Sequence, residues 1–255
     1  MLTAKERERY NRQIIIGGFG EQGQEKLKRA RVIIAGSGGL GSPIAIYLAA
    51  AGVGRLRIVD HGSVELSNLN RQVLYGEGDI GRSKVSAAAG KLNKLNPEII
   101  IEAIAETITA QNISQLVYGC NVIIDAMDNL PARYLLNKAA IDNNVPFIHG
   151  AVHGFEGRAM TVIPGKTACL QCIYHGVTLP EGKSPVIGAA PAVIGGIQAA
   201  EVIKYILGIG DLLTDQLLIY DGLNQQFSKV RVKKTPNCNQ CGCSSDGKHT
   251  QRKRG

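Results

Sequence analysis

The chain has 255 residues, 44% hydrophobic and 20% charged, the balance of one folded α/β domain. The longest apolar runs, near residues 45–52 and 193–207, are interrupted by Gly, Gln, Glu and Lys, so no membrane span is expected; the charged start MLTAKERERYNRQ has no secretory core. A cytoplasmic setting follows, where six cysteines point to metal or catalysis before disulfides; the net charge of +8 suits an acidic protein or polyphosphate, and nucleic acid rests on charge alone.

Hydrophobic periodicity predicts a helical arm over residues 1–30 with polar breaks at 17–20. A buried strand at 31–35 runs into GSGGLGS, which opens a helix at 43–51. Strands follow at 55–60, 98–105, 121–126 and 145–150, with helices at 82–95, 109–118 and 131–143 between them. That alternation predicts a Rossmann-like, mainly parallel sheet with helices on both faces. After residue 150 the pattern becomes antiparallel: a strand at 158–163, a helix at 193–207, and a hairpin of strands at 216–220 and 227–232. Residues 180–191, rich in Gly and Pro, read as a mobile loop. The basic segment 243–255 has no apolar periodicity and reads as a disordered tail.

Gly36, Gly38 and Gly41 form G-x-G-x-x-G between a strand and a helix. Glycines there allow a tight turn and close approach of backbone N–H groups to phosphate, beside the positive end of a helix. Asp60, at the end of the next strand, stands where a ribose-binding carboxylate belongs. This much fits NAD as well as ATP. Cations break the tie. Ser67, Asn68, Asn70 and Arg71 follow strand two, Lys84 starts the next helix, Asp128 and Asn129 follow strand four, and Arg12 lies in the arm. Basic side chains with a free carboxylate suit a nucleoside triphosphate with Mg²⁺, because they neutralise charge as pyrophosphate leaves.

Cys169-x-x-Cys172 and Cys238-x-x-Cys241 are two chelating pairs, enough thiolates for a closed tetrahedral Zn²⁺ site of structural type. Cys243 is a competing ligand, and Cys120 reads as a packing residue. His149 and His153 lie on strand and turn, not on one helical face, so they read as partnered polar groups. In the 193–207 helix, Gln198, Glu201 and Lys204 recur on one face, which argues for a core helix over a membrane span.

The segments RYNRQIIIGGFGEQGQEKLKRARVIIAGSGGLGSP, SNLNRQ, GRSKV and DAMDN, with the paired CxxC motifs, resemble the MoeB/ThiF/HesA family, relatives of ubiquitin-activating enzymes, over residues 7–242. The resemblance implies one adenylation domain over 1–242. Its reaction is attack of the C-terminal glycine carboxylate of a small ubiquitin-like or sulfur-carrier protein on the α-phosphate of ATP. It implies that Gly39 and its neighbours contact nucleotide, Asp60 the ribose, Asn68, Arg71 and Lys84 the phosphates, and Asp128 Mg²⁺. It also implies a homodimer in which Arg12 reaches the neighbouring subunit's site, and zinc held by Cys169, Cys172, Cys238 and Cys241. Many relatives carry a reactive cysteine in the crossover loop. Residues 173–191 hold none, and Ser184 would need an activating base. The expectation is therefore adenylation without a loop thioester, in the MoeB mode, with a separate sulfur donor. The competing readings are an NAD-dependent oxidoreductase and a non-catalytic binding module for ubiquitin-like proteins.

Overall fold

Four short apolar runs, each buried along most of its length or alternating from face to face, set the middle of a sheet. In the computed structural model, which describes residues 1–176 and 185–242, these are β1 (Arg31–Ala35), β2 (Arg55–Val59), β4 (Val122–Asp125) and β5 (Phe147–His153). With β3 (Ile100–Ile104) at the edge they run parallel. β6 (Glu156–Val162), β7 (Gln216–Asp221) and β8 (Gln226–Arg231) continue the same sheet antiparallel, in the order β3-β2-β1-β4-β5-β6-β7-β8. Strand order reverses at β1, with β2 on one side and β4 on the other. That reversal opens a crevice above the C-terminal ends of β1 and β4.

Each face has its own core. Val32, Ile34, Val122 and Ile124 pack with α4 (Gly41–Ala50), α5 (Lys84–Leu95) and α9 (Ala189–Leu207). Ile33, Ile123 and Phe147 pack on the opposite face with α6 (Ile113–Val117), α7 (Leu130–Asn143) and the short α8 (Leu170–Ile173). Burial on both faces is why these strands are continuously apolar.

The N-terminal arm comprises α1 (Ala4–Arg9), α2 (Asn11–Ile14) and α3 (Gly20–Arg29). Tyr10 is buried; its hydroxyl accepts from Asn96 Nδ2 at 2.8 Å, and Gln13 Nε2 donates to the Ala51 carbonyl at 2.8 Å. The arm therefore sits at the C-terminal end of α4, on the sheet edge away from the crevice.

Three expectations shift. The fifth strand reaches His153, because antiparallel pairing with β6 continues to His153–Glu156. The last long helix starts at Ala189, so part of the expected loop is ordered: Gly154 N–H donates to the Pro185 carbonyl at 2.7 Å and Ile187 N–H to the Gly154 carbonyl at 3.1 Å. Residues 180–184, Ser184 included, and the 243–255 tail with Cys243 lie outside the described residues. Finally, α9 is, by length and composition, apolar enough to cross a membrane, contrary to the reading of that run as too interrupted, since Glu201 and Lys204 are the only charges in it. Its polar face does not look outward either. Gln198 and Glu201 are 0% and 2% exposed, with Gln198 Nε2 donating to the Asp125 carbonyl at 2.8 Å and Glu201 Oε2 accepting from Leu213 N–H at 2.7 Å and Thr161 Oγ1 at 2.5 Å. The helix packs on β5, β6 and α4 as a core element.

Candidate active site

At the end of β1 the chain turns at Gly36, whose φ of 94° is left-handed. A Cβ there would sit 2.6 Å from the Ala126 carbonyl oxygen, and one on Gly41 would collide with the Gly36 carbonyl. Glycine at both positions lets the turn close against β4. Between them, the N–H groups of Gly38 and Gly39 donate to no acceptor among the described residues. Two free donors at the mouth of α4 make an anion cradle.

The loop is braced from behind. Ser37, fully buried, donates its N–H to Asp60 Oδ2 at 2.8 Å, with its hydroxyl 3.3 Å from the same oxygen. Tyr75 OH donates toward the Ser37 carbonyl at 2.9 Å and lies 2.8 Å from Ser37 Oγ. Burial raises the Tyr75 pKa, so its hydroxyl keeps its proton. Asp60 Oδ1 accepts from Gly62 N–H at 2.8 Å. Ser37 and Tyr75 did not figure among the sequence candidates.

Two of the cations lie near this loop. Lys84 opens α5, its N–H donating to the Gly62 carbonyl at 3.0 Å. A Cβ on Gly62 would lie 3.1 Å from Asp60 Oδ1 and 3.5 Å from Lys84 Nζ, so acid and ammonium flank the same glycine. Arg71 lies across the loop, its Cγ 3.6 Å from where a Gly39 Cβ would be. Its guanidinium donates to the Ser67 carbonyl at 2.8 Å and to Asn70 Oδ1 at 2.9 Å. Asn68 is buried, and its Oδ1 accepts from Glu65 N–H at 3.2 Å, capping the short 3-10 turn at Leu66–Asn68. Ser67 is exposed, its hydroxyl 3.2 Å from Glu65 Oε2. Gln72, 4% exposed, carries an unpartnered Oε1. Among the described residues, no carboxylate lies within ion-pair distance of Lys84, Arg71 or Arg12.

After β4 the acids divide. Asp125 is fully buried: Oδ1 accepts from Met127 N–H at 3.0 Å and Oδ2 from His149 Nδ1 at 2.7 Å. Asp128 is exposed; among the described residues its Oδ1 accepts one long 3.3 Å bond, from Asn129 Nδ2. Asp128 follows the Ala126-Met127 turn that closes against Gly36, and an open carboxylate is the type of ligand a hard cation such as Mg²⁺ takes. Asn129 Oδ1 accepts from Ala132 N–H at 2.9 Å and is the N-cap of α7.

Arg12 is not brought together with these groups. It is exposed on α2, at the far end of α4 from the glycine loop. Ten helical residues separate the two ends, roughly 15 Å.

On the opposite face, Cys169, Cys172, Cys238 and Cys241 place their sulfurs within 4.8 Å of one another. The Cys169–Cys172, Cys169–Cys238 and Cys172–Cys241 separations are 3.8, 3.6 and 3.7 Å. A tetrahedron of Zn–S bonds has edges of about 3.8 Å, so the donor set fits zinc. Burial raises the Cys169 thiol to about 11. For Cys172 burial pushes the same way, but hydrogen bonds from the Thr235 and Cys169 backbones prevail and lower it to about 7. Cys120 is a buried packing residue near Arg57.

A doubly wound sheet, a glycine loop at its strand-order reversal, a strand-two acid with nearby cations and a cluster of four cysteines whose spacing fits a metal ion define the class, a nucleotide-binding α/β protein. The ThiF family profile matches residues 10–243, and the chain belongs to the ThiF family. It is 41% identical to the sulfur carrier protein adenylyltransferase of Thermus thermophilus, covering 94% of this chain and 92% of that one. It is 39% identical to the SAMP-activating enzyme E1 of Haloferax volcanii, over 94% and 91%. Against the adenylyltransferase and sulfurtransferase MOCS3 of Drosophila sechellia it is 42% identical, but spans 54% of that longer protein. Among solved structures it resembles E. coli MccB bound to ATP, with TM-score 0.82 and 25% identity over 94% of this chain and 75% of that one.

Proposed function

We propose that this chain is an ATP-dependent adenylyltransferase acting on the C-terminal glycine carboxylate of a small ubiquitin-like or sulfur-carrier protein. One observation carries the reading: the N–H groups of Gly38 and Gly39 have no acceptor among the described residues, and Arg71 beside Gly39 and Lys84 beside Gly62 have no ion partner among them. Such a site is built for a charge it does not itself contain. The names of relatives about 40% identical over nearly the whole chain support adenylyl transfer over nicotinamide chemistry.

In the reaction a carrier carboxylate oxygen bonds to the α-phosphorus, the bond from that phosphorus to the bridging oxygen breaks, and pyrophosphate leaves with the electron pair. The carboxylate is already ionised near neutral pH, so no general base is required. The work is positioning and charge neutralisation. Gly36, Gly38, Gly39 and Gly41 form the cradle, with Asp60 for the ribose. Ser67, Asn68, Asn70 and Asn129 line its rim. Arg71 and Lys84 bear on the phosphates. Mg²⁺, held by Asp128, would supply further neutralisation of phosphate charge. Zinc on Cys169, Cys172, Cys238 and Cys241 would have a structural role. Arg12 acts from a second copy, which requires a homodimer; its place far from its own cradle supports this. With no cysteine in residues 173–191, the adenylate passes to a separate sulfur donor, in the cytoplasm.

The test is to incubate the protein with ATP, Mg²⁺ and carriers ending in Gly-Gly. A carrier-dependent ATP–pyrophosphate exchange and a C-terminal acyl-adenylate by mass spectrometry are expected. No exchange with any such carrier, together with nicotinamide turnover, overturns the reading. A reducible adduct through residues 173–191 would overturn the absence of a thioester.

A further inference from the structure

Beneath the Asp128 turn lies a chain of polar side chains, buried at Asp125, His149 and Arg133 and half-buried at Tyr174, that the reaction itself does not use. Asp125 and His149 are register partners on β4 and β5, both fully buried, joined by the 2.7 Å bond between Oδ2 and Nδ1. Burial lowers the His149 pKa, keeping the ring neutral, so Nδ1–H faces the carboxylate and Nε2 accepts. Its partner is the Tyr174 hydroxyl at 3.2 Å, whose O–H donates to that nitrogen. Arg133, on α7, completes the group with Nε 3.7 Å from Asp125 Oδ2.

The same groups grip the turn that carries Asp128. Asp125 Oδ1 accepts from Met127 N–H at 3.0 Å, and Arg133 donates to the Met127 carbonyl at 2.6 and 3.2 Å. Met127 is therefore held at both its donor and its acceptor, one residue before Asp128. Tyr174 stands at the start of the crossover segment 173–191, and its own carbonyl accepts from Tyr134 OH at 3.0 Å. The far end of that segment rests on the other half of the site. A Cβ on Gly188 would lie 2.5 Å from the Asn70 carbonyl oxygen, and Pro191 faces Gly39.

We propose that His149 and Tyr174 are positioning residues, which hold the Asp128 turn in register with the start of the crossover segment through Asp125 and Met127. This rests on the reading of Asp128 as the metal-holding acid. A displaced turn would move the carboxylate away from the phosphates while leaving the glycine cradle intact. The loss would fall on the metal-dependent part of nucleotide binding alone.

The test is calorimetric titration of the full-length protein with ATP, with and without Mg²⁺. Wild type gains ATP affinity from Mg²⁺. Tyr174→Phe, which removes one oxygen and preserves the ring, is expected to cut that gain by about threefold or more, the scale of one lost buried hydrogen bond. Affinity without Mg²⁺ and the thermal midpoint stay near wild type. His149→Asn retains a donor near the Nδ1 position and loses the Tyr174 contact, so it is expected to match Tyr174→Phe. The double variant is then no worse than either alone, because both break the same bond. A wild-type gain untouched by Tyr174→Phe overturns this proposal alone, as do additive losses or a loss equal with and without Mg²⁺. A wild type with no Mg²⁺ gain overturns the Asp128 reading and this proposal with it.

Discussion

Ser37 gives its backbone N–H to Asp60 Oδ2 at 2.8 Å, so the acid at the end of β2 holds the glycine loop at the end of β1. The acid thus braces the loop, besides the ribose contact proposed for it. Asp60→Ala leaves the buried Ser37 N–H without an acceptor, at a cost of about 1–3 kcal/mol. The expected outcome is a lowered thermal midpoint together with weakened ATP binding, whereas Asp60→Asn, which keeps an acceptor oxygen, retains more of both. Melting curves and calorimetry on the two variants check this; equal stability of the Ala variant and wild type would contradict it.

Lys84 has a different signature. Its ammonium has no ion partner among the described residues, so the fold does not depend on it. Lys84→Ala is expected to leave the melting temperature unchanged and to slow pyrophosphate exchange by about a hundredfold, the scale of one removed transition-state donor. Comparable exchange rates for variant and wild type would remove Lys84 from the phosphates.

Arg12 lies at the wrong end of α4 to serve its own cradle. Arg12→Ala and Lys84→Ala are each expected to be strongly slowed alone. Mixed under conditions that exchange subunits, they should recover activity, because a mixed pair holds one site with both residues intact. A mixture as slow as its components would place Arg12 outside the reaction.

The thiol cluster gives a pH prediction with a definite sign. Thiolate, not thiol, binds the metal, and the metal-free Cys169 thiol titrates near 11. At neutral pH that thiol carries a proton, which metal must displace. Zinc affinity is therefore expected to rise with pH, measured by competition with a chromogenic chelator. A pH-independent affinity would show that the cluster binds no metal through Cys169. Cys238→Ala is expected to lower both bound zinc and the melting temperature.

Much of the site can be read from spacing alone. The glycines follow a strand and open a helix, Asp60 closes the next strand, and the cysteines come in chelating pairs. Long-range bracing is less legible, because Tyr75 meets Ser37 only through the fold. The two acids of DAMDN look alike as letters, yet strand parity separates them: Asp125 follows Ile123 by two and so shares its buried face, while Asp128 lies beyond the strand. Asn129, whose place after the strand suggests a nucleotide ligand, also caps α7 just before Leu130-Pro131, a duty its letter alone does not announce. The inward polar residues of α9 escape a periodicity argument, since their partners lie at the end of β4, on β6 and before β7.

The four sulfurs carry one more consequence, for handling the protein. Neighbouring thiols stand 3.6–3.8 Å apart, against about 2.05 Å in a disulfide, so a small side-chain movement would join them. While metal is bound, its coordination occupies the sulfur lone pairs. Once a chelator removes it, air can couple the thiols, and a cystine cannot take the ion back. For a protein that holds zinc there, stripping the ion is reversible under a reductant and one-way without it, so metal-free preparations made in air would report an oxidised protein.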